Sequence, residues 1–283
     1  MKRRIFIFVL LLVLTGNIMP AQTRQNYVIG FYNLENLFDT YNDPVKNDEE
    51  FLPDGKNQWT EVKYQKKLHN MATVIAEMAA ANKAFHTILG VSEIENRLVL
   101  EDLISQPELL PANFQIVHYD GPDRRGVDVG LLYRADQFEY LGSESIPFSF
   151  EGTEVPITLS KEEQDYFRTR DILMVHGLIA GEHFAFYVAH LPSRIGGKGA
   201  DLRSLGGEIL HRHRHIAVHV RFIIVPVFKI KGYPDISLCP GDIFFILQKD
   251  FIKSCGLIDS VATPVCYIFI RRNRSSHNIK SVT

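Results

Sequence analysis

Residues 87–96 read TILGVSEIEN, and the fold follows from how this stretch is taken. Ile88, Leu89 and Val91 make a short apolar run of the kind a buried strand needs, and the run ends on a carboxylate, Glu93. Three further stretches repeat the arrangement: residues 27–38 read YVIGFYNLENLF, 123–134 read DRRGVDVGLLYR and 184–194 read FAFYVAHLPSR. Each carries one polar station at or just inside the end of an apolar run: Asn33, Asp128 and His190. Side chains at strand ends can converge on one edge of a sheet. A carboxylate, an amide and an imidazole gathered there suit a divalent cation and a phosphate group.

Between these strands the chain alternates. Residues 42–56 are rich in Asn, Asp, Pro and Gly and read as loop. Over 60–81, Tyr64, Leu68, Met71, Ile75 and Met78 recur at steps of four and three, the stripe of an amphipathic helix. Lys66, Lys67 and Glu77 fall off that stripe. A short helix is expected over 97–105, and strands over 114–119 and 127–134 around the turn Gly121-Pro122-Asp123. Residues 171–179 and 183–190 form an expected hairpin about Ala180-Gly181. Strands mixed with helices at these intervals predict an α/β fold, with two sheets packed face to face and helices outside.

The net charge of −2 averages two unlike parts. Residues 1–208 hold 20 Lys/Arg against 29 Asp/Glu, whereas 209–283 hold 11 against 4, with no Glu and all three cysteines. No global basic field therefore points to a nucleic-acid partner. Cys239, Cys255 and Cys266 have neither the even count of a disulfide framework nor the spacing of a zinc knuckle. At the start, Lys2, Arg3 and Arg4 precede ten apolar residues, 5–14, and small residues around Ala21. That is the pattern of a signal peptide over 1–21, since ten residues fall short of roughly 30 Å of hydrocarbon. The expectation is a secreted or periplasmic chain with no membrane span after cleavage and no stable protein partner.

Each station has a plain structural reading beside the functional one. Glu93 can ligate Mg²⁺ through oxygen or cap the helix that follows. Asn33 can donate to phosphate or serve a turn, and Glu35 and Asn36 share that ambiguity. His190, followed by Ser193, Arg194 and Gly196-Gly197, can hydrogen-bond a phosphoryl oxygen or pack as a half-buried histidine. Arg170 can clamp phosphate or pair with a neighbouring acid. Asp128, inside an apolar strand, needs a partner, with Arg125 one choice, or a function. His211, His213, His215 and His219 would share faces on a strand or a helix, but Arg212 and Arg214 between them oppose a cation.

Taken together the motifs resemble the endonuclease/exonuclease/phosphatase superfamily, the metal-dependent phosphoesterases related to deoxyribonuclease I, in its secreted bacterial branch. FYNLENLFDT, FLPDGKNQWTEVKYQKKL, GVSEIENRLVLEDL, YDGPDRRGVDVGLLYR, TRDILMVHG and HLPSRIGG occur in order between residues 27 and 197. The resemblance implies a four-layer α/β sandwich and Mg²⁺- or Mn²⁺-dependent hydrolysis of a phosphodiester, nucleic acid among the candidates. In that picture Glu93 is the metal ligand and Asn33 stands at the metal and phosphate. His190 is the strand-end acid or transition-state donor, and Arg170 contacts the phosphate.

The pattern then stops. The family's later Gly-Asp-x-Asn-Asp motif has no counterpart, since Ile243 and Phe244 follow Gly241-Asp242. Its terminal Asp-His pair is absent as well, since Ser275-Ser276 precede His277. The expected layout is a signal peptide over 1–21, the family domain over 22–208, incomplete beyond about 208, and a divergent tail over 209–283, read as out of frame. Three outcomes stay open: a phosphodiesterase with a compromised site, a phosphatase on small or lipid phosphate esters, and an inactive anion-binding or truncated product.

Overall fold

The computed structural model describes residues 26–192 and 199–213 together with the backbone of three later strands. Residues 1–21, where a signal peptide is expected, and Ser193, Arg194, Gly196-Gly197, His215, His219, the Gly241-Asp242 pair and His277 lie outside the described residues. Contacts divide the chain into Tyr27–Ile268 and a second unit made of the two termini, Met1–Asn26 with Phe269–Thr283. Asn33, Glu93, Asp128, Arg170 and His190 all belong to the first unit.

The chain runs β1 (Asn26–Leu37), α1 (Glu61–Asn82), β2 (Ile88–Ile94), α2 (Arg97–Ile104), β3 (Phe114–His118), β4 (Asp128–Arg134) and β5 (Glu139–Ile146). It continues with α3 (Lys161–Tyr166), β6 (Ile172–Ile179), β7 (Glu182–Ala189), α4 (Ala200–His213), β8 (Arg221–Pro226), β9 (Ile243–Phe244) and β10 (Cys266–Arg271). Two five-stranded sheets result, in the orders β10-β1-β2-β4-β3 and β5-β6-β7-β8-β9. Both are mixed. β1 and β2 are parallel and α1 is the crossover that parallel neighbours require, while β2–β4, β3–β4, β5–β6 and β6–β7 are antiparallel. β8 adds to β7 in parallel, so the tail after residue 208 contributes strands to the sheets.

The layers follow from what each element must bury. α1 turns Tyr64, Leu68, Ala72, Ile75 and Met78 onto Leu34, Leu89, Val91 and Leu132 of the first sheet, joined by Val99, Leu100 and Leu103 of α2. Lys83 ends α1 in the left-handed conformation, its N–H returning to the carbonyls of Ala79 and Ala80. α4 lays Leu205, Ile209 and Leu210 on Ala185, Tyr187 and Ile172 of the second sheet. Between the sheets Phe138 meets Phe186 edge-to-face, and a Cβ on Gly90 would come within 3.1 Å of Val188, so glycine lets the two layers close there. The order is helix, sheet, sheet, helix: a four-layer α/β sandwich.

The topology also explains why the stations meet. The C-terminal end of β1, that of its parallel neighbour β2 and the start of antiparallel β4 share one edge, with Asn33 opposite Ser92 and Asp128 opposite Ile94. In the second sheet the end of β7 and the start of antiparallel β6 coincide, with Val188 opposite Leu173. Among the described residues no helix is long and apolar enough to cross a membrane.

Candidate active site

Glu93 reaches the site through a distortion. Register slips between Ser92 and Ile94 on β2, and between Asn33 and Leu37 on β1. In these bulges Glu35, Asn36 and Glu93 all take positive φ, at 51°, 57° and 58°. A left-handed non-glycine residue costs roughly 1–2 kcal/mol, and bulges re-aim side chains at sheet ends. Here the effect is to separate Glu93 from its neighbours. Glu95 turns inward to accept the N–H of Asp39 at 2.7 Å, and burial pushes its carboxyl up to about 8. Asn96, not Glu93, caps α2 by accepting the N–H of Val99.

Three of the four site residues meet directly. Asn33 Nδ2 donates to Glu93 Oε1 at 2.9 Å, and His190 Nε2 stands 3.3 Å from the same oxygen. Asn33 Oδ1 accepts the N–H of Glu35 at 2.7 Å, which fixes the amide with its donor toward Glu93. His190 is largely buried, and its Nδ1 has no hydrogen-bond partner among the described residues. Burial, then the guanidinium groups of Arg170 and Arg125, push the imidazole well below its ordinary pKa, against the pull of Asp123. The neutral form this favours carries one N–H, which Nε2 directs toward Glu93, and leaves Nδ1 an acceptor.

Arg170 is buried and near enough to act on both Glu93 and His190. Its Nη1 donates to Asp123 Oδ2 at 3.1 Å, while its Nε is buried with no partner among the described residues. Asp123 was legible only as a turn residue, yet it organises the cations. Burial alone would raise its carboxyl, but the N–H of Arg125 and the guanidinium groups of Arg125 and Arg170 hold it below the usual range. Arg125 therefore pairs with Asp123 and not with Asp128.

Asp128 has a different partner set. Both of its oxygens accept the N–H of Gly121, at 3.1 and 3.2 Å, and its Oδ2 lies 3.6 Å from His118 Nε2. A small cavity lined by Tyr119, Ser145 and Asp171 adjoins it, on this side and not over Glu93. His118, Asp120 and Asp128 offer ligand atoms within 4.8 Å of one another, a second group with donors that a metal ion accepts. The imidazole, however, lies between the two carboxylates, with Nδ1 3.9 Å from Asp120 and Nε2 toward Asp128. Of the histidines after residue 208, His211 and His213 lie on the helix α4, where the carbonyl of Ile209 is 2.9 Å from His213 Nδ1.

The Glu93 carboxylate is an oxygen ligand of the kind a hard divalent cation accepts, and the Asn33 amide orients it through its N–H.

No curated protein matches the chain. Solved structures that resemble it include zebrafish TDP2 complexed with a single-strand DNA product, at 14% identity and TM-score 0.44, covering 72% of this chain and 60% of that one. Endonuclease/exonuclease/phosphatase family proteins of Bacteroides thetaiotaomicron (19%, 0.43, covering 72% and 64%) and Bacteroides vulgatus (14%, 0.41, covering 68% and 61%) resemble it as well. The chain spans about three fifths of the length of these structures. The sequence pattern of the Endonuclease/Exonuclease/phosphatase family matches residues 28–208, well over half of the chain, and the chain belongs to that family.

Proposed function

We propose that the Glu93 site binds a phosphodiester with Mg²⁺ or Mn²⁺ and is built for its hydrolysis. The observation that carries this reading is the convergence of Glu93, Asn33 and His190, with the buried guanidinium of Arg170 near enough to act on both Glu93 and His190. A buried donor without a partner costs about 1–3 kcal/mol, and an anionic oxygen would relieve that cost at Arg170 Nε.

When bound, the cation supplies charge neutralisation and lowers the pKa of attached water. Glu93 would hold it, oriented by the Asn33 amide. Arg170, anchored by Asp123, supplies a fixed positive charge for a phosphate oxygen. His190 stays neutral, and its one N–H, at Nε2 beside Glu93 Oε1, would be shared with a phosphoryl oxygen arriving there. The residues that orient and deprotonate the attacking water in complete family members have no counterpart after Gly241-Asp242 or before His277. Binding is therefore expected to outlast turnover.

The test is calorimetric titration with Mg²⁺ and with a non-hydrolysable phosphodiester, followed by assays on bis-p-nitrophenyl phosphate, p-nitrophenyl phosphate, single-stranded DNA and a lipid phosphate. Cation-dependent binding that Glu93→Ala abolishes is the expected result. Phosphate binding indifferent to Mg²⁺ and to Glu93→Ala would instead make the chain an anion-binding protein. Preference for the monoester or the lipid would move the substrate class.

We also read the chain as secreted or periplasmic, on the strength of its basic and then apolar start. A mature product beginning near Gln22 in the periplasm supports this, and intact Met1 in the cytoplasm would refute it. The tail over 209–283 we read as out of frame. Reading the coding DNA past codon 200 in three frames checks that directly.

A further inference from the structure

Lys67 stands on α1, where the spacing of apolar residues makes it a solvated lysine, yet it is half-buried. Its ammonium donates to the carbonyls of Glu35 and Asn36, the second at 3.0 Å, and stands 5.5 Å from the centroid of the Trp59 ring. Trp59 is itself fixed, its Nε1–H donating to the Phe38 carbonyl at 2.9 Å. An ammonium has three N–H bonds, so two carbonyls and an aromatic face within cation–π range leave it little to offer a substrate. The two carbonyls belong to consecutive left-handed residues, and one cation satisfies both. The next links are already short: the Glu35 N–H holds Asn33 Oδ1, and Asn33 Nδ2 holds Glu93 Oε1.

We propose that Lys67 is a positioning residue that locks the β1 bulge and thereby sets the Asn33 amide and the Glu93 carboxylate for the cation. The assignment rests on the proposed role of Glu93. Burial pushes the ammonium down to about 8, against the pull of Glu35 and Glu93, so it remains largely charged at neutral pH. Its charge alone would weaken a cation's hold on nearby Glu93. The geometry and the charge thus make opposite predictions for the neutral variant, and that makes the proposal testable.

The experiment compares the full chain with Lys67→Met, Lys67→Arg and, as control, the exposed neighbour Lys66→Met. Mg²⁺ affinity is read by calorimetry, and amide exchange over residues 33–38 is read without metal by mass spectrometry. Lys67→Met is expected to weaken Mg²⁺ binding by at least about tenfold. It should speed exchange in the bulge by a similar factor while exchange over α1 is unchanged. Lys67→Arg should recover part of both, and Lys66→Met should move neither. Equal or tighter Mg²⁺ binding by Lys67→Met overturns the proposal, because charge would then outweigh positioning. If the parent chain binds no Mg²⁺, the functional reading fails by itself. Exchange over 33–38 still decides the lock: faster in Lys67→Met supports it, unchanged removes it.

Discussion

Two carboxylate–histidine pairs sit on the same edge of the sandwich, and they are built to opposite ends. In Glu93–His190 the acid is carried on a left-handed bulge residue and its side chain is 21% exposed, with an asparagine donor beside it. In Asp128–His118 the acid sits in regular strand, its side chain is 4% exposed and both its oxygens are taken by the N–H of Gly121. The second pair uses its charge to tie a turn to a strand. The first carries its acid on a strained residue and leaves it open to solvent, whereas each pair holds one histidine nitrogen without a hydrogen-bond partner among the described residues, Nδ1 of His190 and Nε2 of His118. Residue type does not separate the two acids here; backbone strain and exposure do.

The comparison breaks most visibly at Glu93. Glu93→Ala should lower Mg²⁺-dependent turnover, or Mg²⁺ affinity where turnover is slow, on the order of a thousandfold, the scale of several kcal/mol of cation stabilisation. Its melting temperature should stay close to that of the parent. A variant that keeps its Mg²⁺ affinity would move the cation elsewhere, and the His118, Asp120 and Asp128 group would be the next place to look.

Asp123→Asn sharpens the same contrast from behind the site. It removes the anion that Arg170 and Arg125 share, so two cations are left to repel one another close to His190. Loss of one partner of a buried pair costs about 3–5 kcal/mol at the upper end, and the exposed guanidinium of Arg125 softens this to about 3 kcal/mol. Chemical denaturation measures it. Phosphodiester affinity should fall with stability, because Arg170 loses its anchor. Asp128→Asn should cost less, about 2 kcal/mol, since the amide oxygen still accepts from Gly121. Mg²⁺ affinity of the folded variant should be unchanged. If Asp128→Asn, and not Glu93→Ala, abolishes Mg²⁺ binding, the roles of the two pairs are reversed.

Much of this was legible beforehand, for a physical reason. Strand ends leave a mark in sequence when an apolar run gives way to one polar residue, so Asn33, Glu93 and His190 stood out and the structure brings them together. The stripe Tyr64, Leu68, Ile75 and Met78 located α1 to within a residue. What failed to show depends on partners far along the chain. Lys67 looked like a solvated charge because its carbonyl partners lie about 30 residues away. Asp123 looked like a turn residue because Arg170 is 47 residues off. The bulges left no pattern, since register slips arise from pairing and not from composition. β5 was missed because EYLGSESI faces solvent over most of its length and buries little more than Ile146.

A third histidine gives the smallest and most discriminating expected effect. His86 is wholly buried, and burial alone pushes it down to about 4. The folded state therefore binds its proton less readily than the unfolded chain, whose histidine titrates near 6.5. Stability from this group is complete above about pH 6.5 and is lost as pH falls toward 4. Between pH 7 and pH 5.5 the loss should be about 1 kcal/mol. Glu95 acts in the opposite sense: its carboxyl is raised to about 8, so it favours the folded state more as pH falls. The two trends overlap in a raw melting curve, and the informative quantity is the difference between the parent and His86→Gln. That difference should grow more favourable to the variant by about 1 kcal/mol over this interval. A flat difference would mean that the folded protein tolerates charge at His86. Burial would then be a poor guide to protonation here, and the neutral state assigned to His190, which rests first on burial, would weaken with it.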